Sequence, residues 1–171
     1  MKLRTLLTTL CSLLGLTLGA QAATLEVGSP APDITAVDQD GKSVSFKAVY
    51  EKGPTLVYFY PKADTPGCTK QACSLRDDWS EIKAKGIQVL GVSGDKPDSQ
   101  KAFQDKYKLP FTLVADHDSK VADAFGVPHL GGFSKRQSFL IKDSKVVWVM
   151  PAASTATHSK DVLAAYEKLG K

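Results

Sequence analysis

TLVYFYPKADTPGCTKQACSLRD, residues 55–77, decides the fold. Thr55 to Tyr60 is a nearly continuous run of β-branched and aromatic residues, the composition of a central strand buried on both faces. Pro61 follows, and the loop KADTPGC leads into a helical stretch predicted to reach about Ala84 and to stop at Gly86, a residue suited to a helix C-cap. Within the loop Thr65 is a natural N-cap, and Pro66 suits the first helical position, where its missing N–H is not needed. Cys68 then falls in the first turn. A thiolate there is stabilised by the helix dipole and by N–H groups that have no helical partner. A structural cysteine has no need of that setting. Reactive loops in α/β sheets sit at such carboxyl ends of strands.

Outward from this stretch, strand-like and helical segments alternate. Asp33 to Val37 and Ser43 to Phe46 read as short strands around an Asp40-Gly41 turn. Ile87 to Ser93 is a second buried strand, Ser99 to Tyr107 a helix, Phe111 to Ala115 a short strand, and Ser119 to Phe125 a helix stopped by Gly126. RQSFLI from Arg136 and KVVWVM from Lys145 pair as a hairpin across Lys142-Asp143-Ser144, and Ser159 to Leu169 closes the chain as an amphipathic helix. The alternation predicts an α/β fold, a central mixed β-sheet flanked by helices.

At the N-terminus Lys2 and Arg4 precede an apolar stretch from Leu6 to about Leu18 and then Ala20-Gln21-Ala22. That is the pattern of a secretory signal peptide over residues 1–22, with residues 23–171 as one domain. The stretch falls short of the roughly 20 apolar residues a membrane anchor needs, so a periplasmic protein without stable membrane anchoring is expected. The chain has 22 Lys and Arg against 18 Asp and Glu, and Lys2 and Arg4 leave with the leader. With no dense basic cluster interleaved with aromatics, nucleic acid is not an expected partner. Cys11 also leaves, so of three cysteines Cys68 and Cys73 remain, and two cysteines in an oxidising compartment point to a disulfide, structural or redox-active.

Other candidates carry less. His117, His129 and His158 show no ligand spacing with the cysteines and read as loop or helix-start residues, so no metal is expected. Gly131-Gly132 and Gly91 to Gly94 lack the rest of a nucleotide-binding motif, so no organic cofactor is expected either. Trp79 and Trp148 read as packing residues. Arg76, beside Asp77 and Asp78, reads as part of a helix-surface ion pair.

YPKADTPGCTKQACSLRD resembles the active-site region of the peroxiredoxins, specifically the Q-type or bacterioferritin-comigratory-protein subfamily, with Pro61, Thr65 and Cys68 at its Pro-x-x-x-Thr-x-x-Cys core. The similarity runs from VGSPAPD at Val27, through GVSGD at Gly91 and RQSFLI at Arg136, to the last helix. It implies a thioredoxin-like fold and an antioxidant thiol peroxidase for hydrogen peroxide and organic hydroperoxides. By resemblance Cys68 is the peroxidatic cysteine, Thr65 orients the peroxide, Pro61 shields the thiolate, and Arg136 polarises thiolate and substrate. Cys73 stands where a resolving cysteine occurs in one subgroup, closing a disulfide that a thioredoxin-like donor reduces. A monomer is expected from the same subgroup. Chemistry asks for these parts independently, since breaking O–O needs a thiolate in line, donors for the peroxide, and positive charge where the leaving oxygen becomes negative. A competing reading is a dithiol-disulfide oxidoreductase acting on protein thiols. Those enzymes use Cys-x-x-Cys, whereas four residues separate this pair.

Overall fold

The computed structural model describes residues 23–170, so the expected signal peptide lies outside the described residues. The first strands, β1 (Thr35–Asp38) and β2 (Ser43–Ser45), are joined by a turn in which Asp38 Oδ1 accepts from the N–H groups of Asp40 at 2.9 Å and Lys42 at 2.8 Å. The second strand ends sooner than the sequence suggests. Ser45 Oγ accepts from Ala48 N–H at 3.3 Å and caps a short helix, α1 (Phe46–Tyr50), which turns Phe46 and Tyr50 into the core. After β3 (Thr55–Phe59), the single helix expected as far as Ala84 is two: α2 (Pro66–Asp77) and α3 (Trp79–Ala84). They break at Asp78, which has φ −96° and ψ 16° and accepts a 2.6 Å hydrogen bond from Ser159 Oγ.

Next come β4 (Gln88–Ser93), α4 (Pro97–Tyr107), β5 (Thr112–Ala115) and α5 (Lys120–Phe125). A small hairpin that the pattern of residues does not announce follows, β6 (His129–Leu130) and β7 (Phe133–Ser134). Its turn residues Gly131 and Gly132 have φ of 58° and 81°, the left-handed pair that a tight hairpin turn demands. The expected last hairpin forms from β8 (Ser138–Lys142) and β9 (Lys145–Met150), and α6 (His158–Leu169) closes the chain.

Seven strands make one mixed sheet in the order β2-β1-β5-β4-β3-β8-β9, with β3, β4 and β5 parallel and the others antiparallel to their neighbours. Side chains of the central strand alternate between two cores, as the two-residue period of a strand requires. Leu56, Tyr58 and Tyr60 pack with Cys68, Leu75, Ile82 and Val162 on the face covered by α2, α3, α4 and α6. Val57 and Phe59 pack with Phe46, Phe125 and Phe139 on the face covered by α1 and α5. Burial of each such side chain stabilises the fold by about 1.5–3 kcal/mol. Gly91 on β4 makes room for the first of these cores: a Cβ there would stand 2.7 Å from Tyr58 Oη and 2.9 Å from Leu113 Cδ2.

Candidate active site

The end of β3 and the start of β8 create the site. The two strands are antiparallel, with Tyr58 opposite Ser138, and Phe59 N–H donates to Gln137 O at 2.7 Å. Continued by two residues, that register sets Arg136 beside Tyr60, at the mouth of the loop that carries Cys68. Residues 68 positions apart in sequence therefore meet: Arg136 Nη2 lies 3.3 Å from Cys68 Sγ. Gly67 helps, because a Cβ on it would come within 3.4 Å of that same nitrogen. Cys68 is 2% exposed.

The loop is held from several sides. Ala63 N–H donates to Asp95 Oδ2 at 2.7 Å, and that carboxylate also accepts from Ser93 Oγ at 2.7 Å. Gln100 Nε2 donates to Ser93 Oγ at 2.8 Å, and the Tyr60 hydroxyl donates to Gln100 Oε1, so a buried polar chain runs from β3 through α4 to the loop. Asp64 takes the left-handed conformation, φ 58°, and accepts from Lys106 Nζ at 2.7 Å and Tyr107 Oη at 2.7 Å. Those two bonds hold its carboxyl below the usual range.

Thr65 occupies the N-cap position of α2, Pro66 is the first helical residue, and Cys68 stands in the first turn, the arrangement the sequence predicts. Thr65 does not cap, however. Its hydroxyl turns back to donate to Lys62 O at 3.0 Å, and the first helical bond is Thr69 N–H to Thr65 O at 2.8 Å. The N–H groups of Gly67 and Cys68 stand ahead of that bond, so the helix start keeps its donors for a ligand beside the sulfur. Pro61 and Arg136 line a cavity of about 440 Å³ beyond it, with Pro128, His129, Leu130 and Phe133. Leu130 and Phe133 on the β6–β7 hairpin are exposed.

Cys73 lies on the same intact helix, half-buried, and both thiols are free. Residues five apart on a helix are about 140° and about 7.5 Å apart, so the structure does not bring Cys73 to Cys68. Burial pushes the Cys73 thiol pKa up, with Arg76 opposing and Asp77 adding to the effect. Arg76 binds Asp77 Oδ1 at 2.7 Å and donates to Tyr107 O at 2.9 Å, the ion-pair role read from the sequence plus a tie to α4. Among the described residues no cluster of His, Cys, Asp and Glu could hold a metal, and no helix is long and apolar enough to cross a membrane.

Sequence reasoning missed the polar residues behind Arg136. Gln71, one turn after Cys68, accepts from Arg136 Nη1, and its amide nitrogen faces His158 Nδ1 at 3.3 Å. His158 Nε2 lies 2.8 Å from Ser138 Oγ. Gln71, His158 and Ser138 are fully buried. His158 does begin a helix, as read from the sequence, but its ring turns inward. The one available signal was a glutamine spaced to share the helix face of Cys68.

The AhpC/TSA family matches residues 27–150. A chloroplastic peroxiredoxin Q of Suaeda salsa is 46% identical over 127 residues, 73% of this chain and 59% of that protein. The chain thus spans about three fifths of the length of such curated relatives. The crystal structure of peroxidoxin BcpB from Mycobacterium tuberculosis superposes with a TM-score of 0.79 at 32% identity, covering 84% of this chain and 97% of that one. The bacterioferritin comigratory protein of Xanthomonas campestris, solved in a study of its alkyl peroxide reduction activity, gives 0.77 at 29% identity over 88% of this chain and 100% of its own. The thioredoxin-like fold expected from the sequence is therefore present. One expectation is corrected: the curated relatives are named chloroplastic, which overturns the periplasmic location. The physical reason is that the one trait of residues 1–22 shared by secretory signals and transit peptides, the lack of acidic residues, does not by itself select a membrane. By the family match, the identity with these relatives and the shared fold, the chain belongs to the AhpC/TSA family, on its peroxiredoxin Q branch.

Proposed function

We propose that this protein is a thiol-dependent peroxidase whose reacting atom is the Cys68 sulfur. The observation that carries the reading is Arg136 Nη2 at 3.3 Å from that sulfur, at an uncapped helix start. The thiolate attacks one peroxide oxygen along the O–O axis. The S–O bond forms as O–O breaks, and the electron pair leaves on the far oxygen, which takes up a proton to become water or an alcohol. Arg136 and the N–H groups of Gly67 and Cys68 donate where that charge develops. Thr65, its proton committed to Lys62 O, accepts from the peroxide O–H, and Pro61 shields the thiolate. Cys68 is left as a sulfenic acid. Cys73 attacks it and expels water, and a thioredoxin-like dithiol protein reduces the disulfide, returning both thiols.

Hydrogen peroxide and organic hydroperoxides are the substrate class. The apolar surface of Leu130 and Phe133 beside Pro61 supports the organic part, as does the alkyl peroxide reduction named for the Xanthomonas campestris relative. The protein works as a monomer in antioxidant defence, with residues 23–171 as its working domain. The deciding experiment compares peroxide loss with reduction of a protein disulfide, using the reduced protein and its Cys68→Ser variant. Peroxide consumption that vanishes in the variant is expected. Undiminished consumption without Cys68, or turnover of the protein disulfide alone, would remove the peroxidase reading.

A further inference from the structure

Ser138, His158, Gln71 and Arg136 form a line of hydrogen bonds that ends on the Cys68 sulfur, and its proton positions follow from one end. A guanidinium only donates, so the Gln71 atom that meets Arg136 is the amide oxygen. The amide nitrogen therefore faces His158 Nδ1, at 3.3 Å. That nitrogen also only donates, so Nδ1 carries the bare lone pair. In a neutral imidazole the proton then sits on Nε2, which donates to Ser138 Oγ at 2.8 Å. A protonated ring would set N–H against N–H at Gln71. Burial, and then the charge of Arg136, oppose this and hold the His158 pKa down to about 3.

We propose that His158 is a positioning residue for the reaction at Cys68: its Nδ1 lone pair locks the Gln71 amide with the oxygen towards Arg136, and so keeps the guanidinium on the sulfur. The proposal rests on the reading of Cys68 as the reacting thiol. Arg136 is half-buried and has a long side chain, so without an anchor the guanidinium has several rotamers that leave the sulfur. Gln71 supplies the anchor from the same helix as Cys68, one turn on. A free Gln71 amide could turn over and present its NH2 group to the guanidinium, donor against donor. His158 forbids that turn. Its own place does not depend on Gln71, because the next residue, Ser159, is tied to Asp78 at the far end of α2 by a 2.6 Å bond.

A merely structural role for His158 would be to fill space, for its ring also meets Tyr58 edge-on with centroids 5.5 Å apart. Two substitutions separate the roles. His158→Phe keeps the ring and loses the lone pair, while His158→Asn loses volume but can place its amide oxygen near the position of Nδ1. The readout is the second-order rate constant of the reduced protein with hydrogen peroxide in a single turnover, with melting temperature recorded alongside. The expected result is a loss of about tenfold or more for His158→Phe and recovery of most of that loss in His158→Asn, even if the asparagine variant melts lower. A phenylalanine variant at the wild-type rate, or an asparagine variant as slow as the phenylalanine one, overturns the proposal. The tautomer can also be read without any variant, by nitrogen-resolved NMR of the imidazole in the reduced wild-type protein. A proton on Nε2 is expected, and a proton on Nδ1 overturns the proposal. A wild-type protein that consumes no peroxide would instead remove the peroxidase reading and leave the tautomer result standing, so the two failures are distinct.

Discussion

Arg136 meets the sulfur with one guanidinium nitrogen while another is held by Gln71. A planar fork can serve two partners at once, and a lysine ammonium, being a point charge, cannot hold both in that geometry. Arg136→Ala is expected to slow the reaction of Cys68 with peroxide about 10²-fold, the scale of losing one transition-state donor. Arg136→Lys should recover little of that loss. Stopped-flow measurement of the reduced protein decides it, and an unchanged rate would return Arg136 to a strand-start surface charge. Cys73 is different, because burial keeps its thiol protonated at neutral pH while α2 is intact. Cys73→Ser should leave the first reaction unaltered, accumulate sulfenic acid at Cys68, and lose recycling by a dithiol donor. Mass spectrometry with a sulfenic-acid trap reads this directly, and recycling at the wild-type rate would show that Cys73 does not resolve Cys68.

Helix α2 must change for the two cysteines to meet. A disulfide needs Cα atoms about 4.4–6.8 Å apart, closer than about two-fifths of a turn of residual rotation and about 7.5 Å of rise allow on a helix. The first turns should therefore unwind on oxidation. Gly67, Thr69 and Lys70 hold that part of the helix with little apolar burial, whereas Ala72 and Leu75 anchor the later part. Backbone hydrogen exchange over residues 66–78 should show protection in the reduced form and loss of it near Cys68 in the disulfide form. Equal protection in both would end this account of how the cysteines cooperate. On β4, Gly91→Ala should cost about 1–3 kcal/mol of stability, measured by urea unfolding, because the methyl group would collide with Tyr58 and Leu113 in a packed core; an unchanged midpoint would mean that the Tyr58 ring yields easily. The elements that sequence reading found are those with a strong local signal: the β-branched run of β3, the Thr-Pro helix start of α2, Gly126 after α5. It missed α1 and the β6–β7 hairpin, whose few residues show no period, and the break at Asp78, which is bonded to Ser159 more than 80 positions away. The site divides in the same way. Cys68 and Thr65 lie in one local pattern, Arg136 was found through resemblance, and the Gln71–His158–Ser138 line exists only through tertiary contact.

Across the whole molecule that line makes folding sensitive to acid. In the folded protein the His158 pKa is held down to about 3, against 6.5 as its ordinary value. Between those values the unfolded chain binds a proton that the folded one refuses, so stability is full above about pH 6.5 and falls as pH drops. The slope is about 1.4 kcal/mol per pH unit, large beside the 5–15 kcal/mol typical of a domain. Asp116 works in the opposite sense. Burial raises its carboxyl pKa against the bonds it accepts from Val121 and Ala122 N–H, so the folded form takes up a proton before the unfolded one does. The window that reports His158 runs from pH 7 down to 5, across its ordinary value of 6.5. Urea unfolding of the reduced protein across that window should show the slope in the wild type and a much flatter line in His158→Asn, which has nothing to titrate there. Parallel lines would mean that another group is responsible. The disulfide form adds a second arm. If its first α2 turns unwind, Gln71 leaves His158, water reaches the ring, the pKa returns towards its ordinary value, and the wild-type slope should shrink on oxidation. A slope equally steep in both redox forms would show that the buried line from Ser138 to Arg136 survives disulfide formation, and that the unwinding stops short of Gln71.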